Sequence, residues 1–267
     1  MPAAELSRLR AQINLLIERF DDPQGLRAAL RELLDLYANR AYRPGQAVQK
    51  HSLLPSYRVP PLVMQQLTME LGKTCREKPL AALGVVDALW QDAYLEPRTL
   101  ATLLLGILPM EYGDAVAGKL RAWARPEENT RMLDALFENG TAGLRRADPA
   151  RIFPLVEEWL SSANPGIQAL GLRALAPLTR DPSFENLPAV FRLISPLLQS
   201  LPPALQTDLQ ITIRALAEKS PTETAYFLRQ ALGITPVAKT ARFVRRCLPY
   251  FSEAQQASLR KALQAVG

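Results

Sequence analysis

An all-α chain, built as a solenoid of helix pairs, is what this sequence predicts, and three observations predict it. Apolar residues recur at three- and four-residue spacing along nearly its whole length, and no segment alternates apolar and polar residues between hairpin turns. Half of the 22 prolines stand directly after a capping or polar residue, as at a helix start, where the missing N–H is not needed. The connections are short enough to force neighbouring helices antiparallel, and pairs of them recur every roughly 35 to 40 residues.

The helices follow in order. Leu6, Leu9, Ile13, Leu16, Ile17 and Phe20 make one stripe, predicting a helix over 3–20. Asp22-Pro23 opens the next, over 23–38, with Leu26, Leu30, Leu33, Leu34 and Tyr37 on its apolar side. Helices over 61–75, 79–93, 97–108, 113–124 and 126–139 complete the first half of the chain. Asp148-Pro149 and Asn164-Pro165 start helices over 149–162 and 165–179, and one over 184–199 follows. Leu205, Leu209, Ile213, Leu216 and Ala217 mark 202–219; Ser220-Pro221 opens 221–232; 236–248 and 252–265 close the chain.

The period fits HEAT, armadillo and TPR arrays. The fixed Trp, Gly, Tyr and Ala positions of a TPR are missing, whereas the segment from Asn164 to Leu175 reads like the second helix of a HEAT-type unit. The expectation is therefore a HEAT/armadillo-like α-α superhelical solenoid, one repeat domain over 1–267, with a concave face where extended partners lie. A compact helical bundle is the structural alternative.

Composition bounds the function. No run of eighteen apolar residues occurs; the longest strong one, Leu103 to Met110, carries Gly106 and Pro109. The N-terminus lacks the basic and apolar regions of a signal peptide, so a cytoplasmic protein is expected. Cys75, Cys247 and the single histidine, His51, are too few for a disulfide framework or a structural zinc site, and no metal or other cofactor is expected. No Walker sequence, Gly-x-Ser-x-Gly elbow or dinucleotide fingerprint occurs.

Lys and Arg number 32 against 26 Asp and Glu, a net charge of +6, and the excess is clustered. Ala38 to Arg58 holds Arg40, Arg43, Lys50 and Arg58 without an acid; Lys239 to Gly267 holds six cations against Glu253 alone. Such clusters suit a polyanion such as nucleic acid, and the competing reading is a solvated face that maintains solubility.

Two stretches bear a family resemblance. The segment Ser56-Tyr57-Arg58-Val59-Pro60-Pro61-Leu62 opens a helix, and Ala88-Leu89-Trp90 leads through Leu95-Glu96-Pro97-Arg98 into another. With Leu133-Asp134, the segment from Pro154 through Trp159 to Asn164, and Leu209 to Leu216, they resemble the AlkD-type DNA alkylation-repair glycosylases over roughly residues 30 to 230. The resemblance implies a C-shaped stack of HEAT-like repeats gripping double-stranded DNA. It also implies an aspartate, flanked by two tryptophans and an arginine, that assists hydrolysis of the glycosidic bond of N3- or N7-alkylated purines. A carboxylate beside the sugar stabilises the cationic, oxocarbenium-like transition state and orients water, with neither metal nor covalent nucleophile.

Residue by residue, Asp134 falls on the catalytic aspartate. The first tryptophan falls on Thr130, the arginine on Ala169 and the second tryptophan near Ala215, while Arg173 stands one helical turn beyond Ala169 and Arg214 beside Ala215. The candidate set is thus Asp134 for catalysis and Arg40, Arg43, Lys50, Arg58, Arg145, Arg146, Arg151, Arg173 and Arg214 for DNA. Trp90, Trp123 and Trp159 sit on amphipathic helices and read as core anchors. His51 reads as a surface loop residue. Glu127-Glu128 and Glu157-Glu158 are adjacent, so their members diverge around a helix and form no carboxylate dyad. The expectation is a DNA-binding member of that family in which base excision is weak or lost. The alternative is a non-enzymatic protein-interaction scaffold that holds a peptide or protein partner on its concave face.

Overall fold

In a computed structural model of the chain, residues 3–39, 54–234 and 238–265 are described. Arg40, Arg43, Lys50 and His51 lie outside them. Every regular element among the described residues is helical and none is a strand, as the apolar spacing requires. The chain divides into two compact units, Met1–Ala147 and Asp148–Gly267.

The first unit holds α1 (Ala3–Ile17), α2 (Pro23–Leu36), α3 (Pro61–Glu77), α4 (Pro79–Trp90), α5 (Leu95–Leu105), α6 (Gly113–Trp123), α7 (Thr130–Ala135) and α8 (Ala142–Ala147). The second holds α9 (Phe153–Leu160), α10 (Pro165–Arg180), α11 (Leu187–Ser200), α12 (Gln206–Lys219), α13 (Pro221–Ile234), α14 (Ala238–Cys247) and α15 (Glu253–Gln264). Proline starts α2, α3, α4, α10 and α13. Asp22 accepts from the Gly25 N–H at 3.1 Å and Asn164 from the Gly166 N–H at 2.8 Å, as N-caps before a first-turn proline should. Asp148 makes no such cap: Pro149–Arg151 is a 3-10 turn, and the carboxylate pairs instead with Arg151 at 3.1 Å.

Each unit stacks helices so that one touches its sequence neighbour and the next but one. In the first, α1 meets α2 and α3, α2 meets α4, and α3 and α4 meet α5. In the second, α10, α12 and α14 form one layer and α11, α13 and α15 the other, joined where α13 meets α12 and α14. This is the all-α solenoid packing that the helix-pair spacing implied. The apolar stripes supply the core: Leu9, Ile13, Phe20, Leu26, Leu30 and Leu34 are buried in the first unit, and Leu205, Leu209, Ile213 and Leu216 in the second. No single helix among the described residues is long and apolar enough to cross a membrane.

The largest departure from the expected elements lies at 126–139, where one helix was expected. Asn129 delays the start to Thr130, and after Ala135 the backbone widens into a π turn, Leu136–Gly140, followed by α8. Two glycines permit this. A Cβ on Gly106, at the end of α5, would lie 2.0 Å from the Asn139 carbonyl oxygen, and one on Gly143 would lie 2.8 Å from the Gly106 carbonyl oxygen. Gly106→Ala is therefore expected to force the π turn off α5 and to cost about 1–3 kcal/mol of stability, as overpacking does. A thermal melt reads this directly, and an unchanged midpoint would mean that the turn gives way freely.

Candidate nucleic-acid interface

Asp134 lies near the end of α7 and is exposed. The start of that helix is fixed from inside the first unit. Trp90 and Trp123 stack with centroids 4.7 Å apart and planes 5° apart, and the Arg98 guanidinium lies 4.3 Å over the Trp90 ring. Arg98 donates to Glu128 Oε2 at 2.5 Å. Glu128 Oε1 accepts the Asn129 N–H at 2.7 Å, and Asn129 Oδ1 accepts the Arg131 N–H at 3.0 Å, capping α7. A charge pair between the buried Arg98 and the half-buried Glu128 thereby holds the entry of the short helix that carries Asp134. Thr130, where the resemblance puts a tryptophan, is exposed on the same helix.

Beyond Asp134, carbonyls of the π turn accept from Arg145. Its Nη1 donates to the Phe137 and Glu138 carbonyls at 2.9 and 2.8 Å, and the residue is buried. Arg145 was expected on the DNA-facing surface and is instead committed to holding this turn. Its neighbour Arg146 is exposed, with Nε on the Ala142 carbonyl at 3.1 Å.

The segment before α3 is held by Glu96, which is buried. This carboxylate accepts from Ser56 Oγ at 2.6 Å and from the backbone N–H groups of Tyr57 and Arg58 at 3.1 and 2.7 Å. The Tyr57 and Tyr94 rings stack at 4.3 Å, and Arg31 pairs with the fully buried Asp92 carboxylate at 2.7 Å. The bond to Asp92 raises the Arg31 pKa further, and burial raises that of Tyr57. Arg58 itself is exposed.

In the second unit, Arg173 on α10 pairs with Asp208 on α12 at 3.0 Å. Arg214 is exposed, pairs with Glu218 at 2.9 Å and lies 6.0 Å over the Tyr250 ring. Gln210 donates to the Tyr250 hydroxyl at 2.8 Å, and Arg246 donates to Gln206 at 2.7 Å. Gln206, Gln210 and Arg214 stand four residues apart, so they share one stripe of α12, facing Arg246 of α14 and the Tyr250 that follows it. The layer of α10, α12 and α14 thus carries Arg173, Arg214 and Arg246 together. Arg246 and Tyr250 were absent from the candidate set. Their signal was their own four-residue spacing, matched to that of the α12 stripe.

Two further positions bear on the chemistry. Ala169 is half-buried on α10, and Ala215 is buried at 3% exposure, so the place of the second tryptophan is taken up by core packing. Trp90, Trp123 and Trp159 are buried, as anchors should be. Burial pushes the Cys75 and Cys247 thiols up to about 12, which leaves negligible thiolate for nucleophilic attack at neutral pH. Among the described residues no group of three or more His, Cys, Asp or Glu side chains is placed to hold a metal ion.

A family model described as DNA alkylation repair enzyme matches residues 54–264. No curated protein and no solved structure matches the chain significantly.

Proposed function

The chain belongs to the DNA alkylation repair enzyme family, and we propose from this premise that it binds double-stranded DNA and that its excision of N3- or N7-alkylated purines is weak or lost. The observation that carries the reading is the contrast at the site. The carboxylate, Asp134, is present and exposed on a helix with a fixed start, while the sequence carries Thr130, Ala169 and Ala215 at or beside the positions to which the resemblance assigns the two tryptophans and the arginine. A carboxylate alone stabilises positive charge developing on the sugar, whereas none of those three side chains offers an aromatic surface or a cation.

Binding rests on cations with access to solvent. Arg146 of the first unit and Arg151, Arg214 and Arg246 of the second are exposed, Arg173 is partly exposed in its pair with Asp208, and Arg246 joins the candidate residues from the basic segment Lys239 to Gly267. If about four of these neutralise phosphates, the logarithm of affinity falls against the logarithm of salt with a slope on the order of −3 to −4. Titration of a labelled duplex between 50 and 200 mM salt measures it. A flat profile, or no binding at the low end, would exclude a DNA-binding role.

One observation favours a protein-interaction role, on a surface other than the cationic layer of α10, α12 and α14. An apolar groove of about 730 Å³ opens between α11, α13 and α15, lined by Pro188, Phe191, Tyr226, Phe227 and Ala254. Such a surface suits a protein partner better than a phosphate backbone. The same titration separates the readings, because a protein scaffold shows no steep salt slope with DNA.

A further inference from the structure

Among the described residues two that are not glycine have left-handed backbone, Leu201 with φ 46° and Arg58 with φ 55°. This conformation disfavours any side chain, and it persists where the surroundings enforce it. For Leu201 the compensation is visible: the residue caps the end of α11, and its side chain is buried at 1% exposure in the core of the second unit. Arg58 has no such compensation. Its side chain is exposed, and its guanidinium makes no hydrogen bond or ion pair among the described residues. All the contacts that fix the residue are made by its backbone: the N–H donates to Glu96 Oε1 at 2.7 Å and lies 3.1 Å from Ser56 Oγ. Glycine would make the same backbone bonds without the steric cost. An arginine here is therefore unexplained by folding and must be explained by what its head group meets.

We propose that Arg58 is a phosphodiester contact for duplex DNA, held at a set angle by the buried Glu96 carboxylate rather than reaching out on a free loop. The inference rests on the DNA-binding reading above and adds a fixed position to it. Three features favour a phosphate as the occupant. The side chain is exposed and its guanidinium unpartnered among the described residues, the stretch from Ala38 to Arg58 contains no acid, and Glu96, the carboxylate on the Arg58 N–H, already accepts three hydrogen bonds. A guanidinium with its donors unspent matches phosphate oxygens in charge and fork geometry. A backbone locked by three hydrogen bonds forfeits little conformational entropy when the contact forms.

The test separates backbone from charge by comparing Arg58→Gly, Arg58→Ala and Arg58→Lys with the parent. Alanine keeps the left-handed strain and removes the cation; glycine removes both; lysine keeps both. Arg58→Gly should melt about 2 °C above Arg58→Ala. On an undamaged mixed-sequence duplex, Arg58→Gly and Arg58→Ala should each bind about eightfold more weakly at 0.1 M salt, with a salt slope shallower by about 0.9, the effect of one released counterion. Arg58→Lys should retain the slope. If the parent binds DNA and Arg58→Ala binds with the same affinity and slope, the Arg58 contact is wrong while the DNA-binding reading stands. If the parent itself fails to bind at low salt, both fall. If Arg58→Gly melts no higher than Arg58→Ala, the strain carries no meaning and the inference is overturned on that ground alone.

Discussion

Arg98→Met is expected to destabilise the protein by about 3–5 kcal/mol, the usual cost of removing one partner from a buried ion pair. The pair comes close to that description: the Arg98 and Glu128 side chains are 10% and 18% exposed and 2.5 Å apart. Methionine keeps most of the apolar stem over Trp90 but leaves the Glu128 carboxylate without its cation, in surroundings that solvate it poorly. The Asn129 N–H still donates to that carboxylate, yet one neutral donor does not replace a guanidinium. For a chain of this size the loss corresponds to a fall in midpoint of roughly 10 °C. Removing both charges, as Arg98→Met with Glu128→Gln, should recover much of it, since a neutral pair carries no stranded charge. A single substitution within about 1 kcal/mol of the parent would place the pair with ordinary surface salt bridges and remove the argument that it fixes the entry to α7.

That pair also marks where sequence reading ends. Helix period and proline position are local, so the starts at Pro23, Pro61, Pro79, Pro165 and Pro221 were legible, and so were the stripes that became the core. Arg98 and Glu128 are thirty residues apart, and nothing in their own segments indicates that they meet. The adjacency of Glu127 and Glu128 predicts divergence around a helix, but they stand in the turn before α7, and adjacency gives no hint that Glu128 meets Arg98. The π turn and α8 were missed for a related reason. Gly140, Thr141 and Gly143 break the apolar period and read as a loop, whereas the turn is held by Arg145 on the Phe137 and Glu138 carbonyls and by the close approach to Gly106.

Among the cations, sequence counts charge without ranking its availability. Arg145 and Arg146 are neighbours of the same type, yet one is buried on carbonyls and the other is exposed, because successive residues of a helix point about 100° apart. Arg214 and Arg246 lie on different helices, and only the packing of α12 on α14 shows that they share a layer. The left-handed backbone of Arg58 was likewise invisible, since a loop arginine announces charge but not φ.

The largest expected effect on chemistry falls on Asp134. Release of N3- or N7-methylated purine from a duplex by the parent should be weak or absent, and Asp134→Asn should abolish whatever remains. Alkylation makes the purine a cationic leaving group, so the barrier left for the protein is smaller than for an undamaged base. The transition state places positive charge on the sugar ring. One carboxylate beside the sugar, desolvated when DNA covers it, stabilises that charge by an amount worth roughly a hundredfold in rate, a few kcal/mol of barrier. Asparagine is nearly isosteric and removes the charge alone, so the comparison leaves α7 and its cap in place. Against this, the positions that the resemblance assigns to the aromatic wall and its arginine carry Thr130, Ala169 and Ala215, which offer neither an aromatic surface nor a cation to hold a lesion, and the expected release is small for that reason. Single-turnover assays of the parent, Asp134→Asn and Arg173→Ala on one alkylated duplex resolve the contributions. Robust release by the parent that survives Asp134→Asn would mean that the site lies elsewhere. Robust release that Asp134→Asn removes would mean that the carboxylate suffices without an aromatic wall. Loss in Arg173→Ala with Asp134 intact would assign the cationic contact to the arginine one turn beyond Ala169, already oriented by Asp208 at 3.0 Å.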